Sequence, residues 1–135
     1  MFELVKFRTA SRQELVNVMN QVREVLARSG VQEGMLYVYC PHTTAGLLVN
    51  SYLDPKTPMD ITFELDRIVP TRVDFFHMND TPSDASGHVK SSLVGVDLSF
   101  IVHEGKLMLG HSQGILFAEF DGPRDREVYV KVVAD

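Results

Sequence analysis

The side chains in this sequence that could do chemistry gather in three stretches. The longest runs from His77 to Ser92 (His-Met-Asn-Asp-Thr-Pro-Ser-Asp-Ala-Ser-Gly-His-Val-Lys-Ser-Ser) and holds His77, Asp80, Asp84, His88 and Lys90. Almost nothing in it could build a core, so it reads either as a plain surface loop or as the lining of a site. The second stretch is Pro41-His-Thr-Thr-Ala-Gly46, where a bend between two apolar runs would aim His42, Thr43 and Thr44 at one spot. The third opens at Gln113-Gly114 and continues through Glu119 to Asp121-Gly-Pro-Arg124.

Three imidazoles from separate segments, His42, His77 and His88, form a ligand set for zinc or a similar divalent ion. Neutral imidazole is a common metal ligand, and three protein ligands leave one position for water or substrate. Asp80 and Asp84 would then stand behind the rings as acceptors that fix their tautomers. Against this, the spacing from His77 to His88 matches no compact metal motif, and ordinary hydrogen-bonded histidines are the alternative. Lys90-Ser91-Ser92 and Arg124 supply cations and hydroxyls suited to a phosphate or carboxylate, with backbone amides added by a short helix starting at Gly87. The plain alternative for Lys90 is an exposed helix lysine. Glu119 falls in an otherwise apolar strand, where a buried carboxylate needs a partner; the solvent face, a subunit contact and the site all remain open for it. Cys40 is the only cysteine, so no intrachain disulfide forms. It reads as a buried thiol at the end of an apolar run, with a catalytic thiol near His42 as the rival. His103 and His111, beside a hairpin turn and a glycine, read as surface residues.

The elements that must position these groups follow from periodicity. Residues 2 to 9 alternate as a strand. Ser11-Arg-Gln-Glu14 has the form of a capping box and predicts a helix whose stripe is Leu15, Val18, Met19, Val22, Val25 and Leu26, stopped at Ser29-Gly30. Residues 34 to 40 and 45 to 50 read as strands broken at Pro41. Thr57-Pro58 predicts the start of a second helix, with Ile61, Leu65, Ile68 and Val69 as its stripe and Pro70 as its end. After the polar stretch comes a short helix, Gly87 to Leu93. Four strands follow, with a hairpin turn at Glu104-Gly105 and another turn at Asp121-Gly-Pro-Arg124. Segregated runs of this kind predict an α+β fold: one domain over residues 1–135, mostly antiparallel sheet with about three helices.

Composition narrows the function. The chain has 135 residues, 44% of them hydrophobic and 23% charged, with a formal net charge of −5. These values describe a globular chain rather than a disordered one. The absence of any basic run argues against a nucleic-acid partner. No apolar stretch approaches the ~18 residues that span a bilayer, and the N-terminus has no signal-peptide pattern. The expectation is a cytoplasmic protein with no membrane partner.

Taken together, Pro41-His-Thr-Thr-Ala-Gly46, Asn50, Asp54-Pro55, His77, Asp84, His88-Val-Lys-Ser-Ser-Leu93, Gly95, Gln113-Gly-Ile115 and Glu119-Phe-Asp-Gly-Pro-Arg124 resemble the YjbQ family in order and content. The resemblance covers essentially the whole chain. It implies a compact α+β fold that assembles as a homotrimer or dimer of trimers, with a shared polar site around the matched histidines. Family members are often labelled secondary thiamine-phosphate synthase, a weak joining of the thiazole and pyrimidine-pyrophosphate halves of thiamine phosphate. Carried over, His42, His77 and His88 become metal-binding or catalytic residues. Thr43, Thr44, Lys90 and Arg124 become contacts to a phosphorylated small molecule, and Glu119 a site carboxylate. In the thiamine version Lys90 and Arg124 stabilise the leaving pyrophosphate. The rival enzyme class is metal-assisted phosphoester hydrolysis with Asp80 or Asp84 taking a proton from water. A non-catalytic homo-oligomer that binds a metal or anion is the third reading. Three departures bear on the substrate: Ser51 stands where the family has an acid, Ser112 where it commonly has tryptophan, and Asp84-Ala-Ser-Gly-His88 interrupts its Asp-Ala-His run. The last lengthens the loop and would displace Asp84.

Overall fold

Alternating apolar residues sort the chain into two antiparallel sheets that bury one face each against the other. The computed structural model describes residues 1–77 and 81–135. Its strands are β1 (Phe2–Arg8), β2 (Glu14–Asn17), β3 (Gly34–Tyr39), β4 (Ala45–Ser51), β5 (Asp97–His103), β6 (Lys106–Leu107), β7 (Gln113–Glu119) and β8 (Asp125–Ala134), and its helices α1 (Met19–Ser29), α2 (Lys56–Ile68) and α3 (Pro82–Val94). The larger sheet has the order β1-β8-β3-β5-β6 and the smaller β2-β7-β4. In the larger sheet Val5 pairs with Val128, Val38 with Val130, and Leu36 with both Val132 and Phe100. In the smaller one Phe117 lies between Val16 and Leu47. The Phe7 and Phe117 rings meet edge to face at 4.9 Å and join the two layers.

Helix α1 packs Met19, Val22, Val25 and Leu26 into this core. Each such side chain, fully buried, contributes about 1.5–3 kcal/mol. Its C-cap is Gly30, at φ 68°, as the sequence predicts. Its start is not where the capping box places it. Glu14 does accept from the Ala10 and Ser11 amides, both at 2.6 Å. Yet residues 14–17 pair with β7, and the helix begins at Met19, whose amide donates to Asn17 Oδ1 at 2.9 Å. Strand pairing of Leu15 and Val16 outweighs a local signal that ends at the box itself.

Helix α2 starts at Lys56 with Pro55 as its N-cap, two residues before the expected Thr57 cap and Pro58 start, its Lys56 amide held by Asp54 Oδ1 at 2.9 Å. None of its residues is buried: Ile61 and Leu65 are half covered, and Ile68 is exposed. Among the described residues no helix is long and apolar enough to cross a membrane.

The largest departure is α3. In place of a loop and a short helix from Gly87, thirteen residues form one helix. Thr81 caps it by accepting from the Asp84 amide at 3.2 Å, and Pro82 takes the first turn. Seven of its residues are buried: Ser83, Asp84, Ala85, Ser86, Gly87, Lys90 and Ser91. They are small or polar, which is why an apolar stripe does not announce the helix. Small size is what lets it lie close. A Cβ on Gly87 would come within 3.2 Å of the Thr44 side chain and 3.5 Å of Phe120. Ser91 Oγ donates to the Ala45 carbonyl at 2.6 Å and ties α3 to the start of β4.

Candidate metal centre

One helical turn separates Asp84 from His88, so α3 presents both on the same face. The inserted residues therefore do not displace Asp84 into a longer loop; they complete the turn that aligns it. His77, arriving from the segment after α2, closes the cluster. Its Nε2 lies 2.5 Å from Asp84 Oδ2, and His88 Nε2 lies 3.2 Å from the same oxygen. The two rings sit nearly perpendicular with centroids 5.1 Å apart. One ligand atom from each of the three residues falls within 4.8 Å of the others. Tetrahedral zinc with bonds near 2.0–2.1 Å needs donors about 3.3 Å apart, so small side-chain rotations would suit the set to an ion.

The other nitrogen of His88 settles its tautomer. Nδ1 lies 3.1 Å from the Thr43 carbonyl, which can only accept, so Nδ1 carries the proton and Nε2 turns to Asp84. A backbone carbonyl on the far nitrogen is the usual support of a metal-bound imidazole.

His42 is not in this cluster. The Glu127 amide donates to its Nε2 at 2.9 Å. Burial first, and the Arg126 guanidinium second, hold the His42 ring below the ordinary imidazole pKa. It is therefore neutral near pH 7. It does share a cleft of about 490 Å³ with His88, lined also by Cys40, Thr43, Ser91 and Ser92. Cys40 itself is buried; that burial raises its thiol pKa, which suits a packing role.

The remaining expected residues have partners of their own. Lys90 is fully buried, neither an exposed helix lysine nor open to solvent, with its ammonium 2.9 Å from Asp66 Oδ1. Arg124 donates from Nε to the Asp121 carbonyl and from Nη2 to the Asp121 carboxylate, both at 2.7 Å. Thr44 accepts from Arg126 Nη2 at 3.0 Å, whereas Thr43 stands on the cleft wall. Glu119 is fully buried, its Oε1 accepting from Arg126 Nε at 2.9 Å and from Thr9 Oγ1 at 2.7 Å. Burial alone would raise its pKa; the Arg126 and Thr9 hydrogen bonds and the Asp121 amide outweigh it and bring the carboxyl below its ordinary value. Asp80 lies outside the described residues.

Two partners went unread in the sequence. Arg126 carried a signal: it has the parity of Val128, Val130 and Val132 on β8, all inward-facing. Asp66 carried none, since nothing near it in sequence distinguishes it from the charged face of α2.

Fold and cluster together define a small two-sheet α+β protein with a His-Asp-His group on and beside one polar helix. A family model described as UPF0047 protein YjbQ-like matches residues 3–135. The chain belongs to the YjbQ/UPF0047 family. It is 43% identical over 130 residues to a UPF0047 protein of Methanocaldococcus jannaschii, covering 96% of this chain and 92% of that one. It is 37% identical over 134 residues to UPF0047 protein YugU of Bacillus subtilis, covering 98% and 99%. Among solved structures, a hypothetical protein of Aeropyrum pernix superposes with a TM-score of 0.94 at 31% identity, covering 100% of this chain and 99% of that one. An uncharacterized conserved protein of Clostridium acetobutylicum gives 0.91 at 39% identity, covering 97% and 99%.

Proposed function

We propose that this chain is a metal-dependent enzyme for a small phosphorylated metabolite, with a zinc-like divalent ion held by His77, Asp84 and His88. One observation carries the reading. With Nδ1 of His88 directed to the Thr43 carbonyl, its Nε2 faces Asp84 Oδ2 at 3.2 Å, His77 Nε2 faces the same oxygen, and one ligand atom from each of the three residues converges within 4.8 Å. Two imidazole nitrogens and a carboxylate oxygen brought together in this way are a donor set that a zinc-like ion takes.

A bound ion of this kind supplies Lewis acidity and lowers the pKa of a coordinated water. The chain supplies the rest. The cleft beside His88 has the size of a metabolite pocket. Thr43 lines it, and so does neutral His42, whose Nε2 is engaged by the Glu127 backbone. Lys90 and Arg124, the expected pyrophosphate contacts, are already paired with Asp66 and Asp121. A phosphate would therefore meet the ion and the cleft hydroxyls first. The family label makes coupling of the two thiamine-phosphate halves the first reaction to assay, with phosphoester hydrolysis as the second. The same reading takes the chain to be a homo-oligomer, a trimer by the family pattern.

Calorimetric Zn²⁺ titration, followed by both assays with and without chelator, tests this. We expect one ion per chain. His88→Ala and Asp84→Asn, each removing a proposed ligand, should weaken binding by more than the ~10–100-fold typical of losing an outer partner, and His42→Ala should keep the ion but lose turnover. No affinity of the unaltered chain for Zn²⁺, Co²⁺ or Mn²⁺ would remove the metal. A tightly held ion with no turnover on either substrate class would leave a metal-binding protein in place of an enzyme.

A further inference from the structure

Helix α2 and the chain that follows it deliver His77, yet no residue of α2 is buried. Polar contacts hold this stretch against α3. Lys90 has no exposed surface, and its ammonium sits 2.9 Å from Asp66 Oδ1. The same oxygen accepts from Gln13 Nε2 at 3.2 Å. One turn back on that face of α3, Ser86 Oγ lies 3.4 Å from Thr71 Oγ1, which accepts from Arg12 at 3.1 Å. Without Asp66, Lys90 would be a buried charge with no other counter-ion among the described residues, a state far less favourable than the pair. The C-terminal end of α2 is therefore obliged to stay over Lys90.

Position along α3 gives this pair its consequence. Lys90 follows His88 by two residues, which turns it about 200° away from the face that carries Asp84 and His88. One side of the helix offers two ligand atoms while the other grips the segment that brings the third.

We infer that Lys90 and Asp66 are a positioning pair for the metal centre: their contact fixes the segment ending in His77 so that His77 meets Asp84 and His88. This rests on the metal reading above for its functional weight, and its geometry can be read without metal. In Asp66→Ala the metal-free chain should show His77 ring resonances moved to those of a solvated, unpaired histidine, while Asp66→Glu stays near the unaltered chain. Lys90→Met/Asp66→Ala removes both charges at similar volume. It should remain folded and still release His77. In Zn²⁺ titrations Asp66→Ala should bind about tenfold more weakly, and Asp66→Ala/His77→Ala no more weakly than His77→Ala alone. Unmoved His77 resonances in both Asp66→Ala and Lys90→Met/Asp66→Ala overturn the pair, as do fully additive losses of Zn²⁺ affinity. Moved resonances in a chain that never binds Zn²⁺ defeat the metal reading and leave the positioning pair standing.

Discussion

Glu119 and Arg126 are both almost wholly buried, and between them they satisfy Thr9, Thr44 and the Asp121 amide. Removing one partner strands the other charge, so Glu119→Ala should cost about 3–5 kcal/mol in urea unfolding. Glu119→Met/Arg126→Met should cost less than the sum of the two single changes, because neither charge is then left alone. The pH dependence has a definite sign. The folded pKa of Glu119 lies below its unfolded value, so its contribution is complete above the unfolded carboxyl value near 4.5 and is lost as pH falls through the lower folded one. The urea midpoint should drop between pH 5 and more acid conditions, and by less in Glu119→Met/Arg126→Met. An equal drop in both proteins would locate the acid sensitivity elsewhere. The sequence shows Glu119 as an anomaly in an apolar strand, and strand parity turns Arg126 inward. It does not show that they meet, because pairing across β7 and β8 depends on how the chain turns at residues 120–124.

At the scale of elements, α3 decides the site. At Gly87 this helix packs close against Thr44 and Phe120, both of which are themselves buried. Gly87→Ala raises helix propensity by about 1 kcal/mol, but the added methyl meets neighbours with little room to give. Overpacking of this kind costs about 1–3 kcal/mol, so the net effect should be slight destabilisation by urea unfolding together with a shift of α3 away from residues 43–45. That shift lengthens the His88–Thr43 hydrogen bond, and Zn²⁺ affinity should fall more than stability does. Unchanged affinity in a destabilised Gly87→Ala would show that the Thr43 carbonyl does not support the centre. Most strands and the stop of α1 were legible from alternation and from Gly30. Helix α3 was hidden because Ser, Asp, Gly and Lys make its buried face, and hydrophobic periodicity is blind to a helix that buries hydrogen bonds and small side chains. For the same reason Asp84 read as a loop residue ahead of the short helix that carries His88, rather than as one turn before it on the same helix.

For the whole molecule, the outer face of the five-stranded sheet is the feature least suited to an isolated chain. Phe2, Leu4, Tyr37, Ile101 and Val133 project from it, each more than 40% exposed. Tyr129 ties the patch together, edge to face with Phe2 at 5.7 Å and stacked on Tyr39 at 6.3 Å. On α2, Met59 and Phe63, one turn apart on the same face, form a second exposed apolar pair. Contiguous patches of this kind are rare on monomers. Two different patches on one chain favour head-to-tail contact, which closes into a ring when the rotation allows it. The expected mass by light scattering is three chains. If the proposed oligomer forms through the first patch, charging it with Tyr37→Glu and Ile101→Lys removes two anchors at about 2 kcal/mol each. Dissociation should then strengthen at least a hundredfold, enough to leave monomer at micromolar concentration. On the proposed ligand set of His77, Asp84 and His88, which one chain brings together, such a monomer should still bind one Zn²⁺. An unaltered chain that runs as a monomer would end the oligomer reading, and a monomeric variant that loses its ion would mean that a neighbouring chain completes the centre.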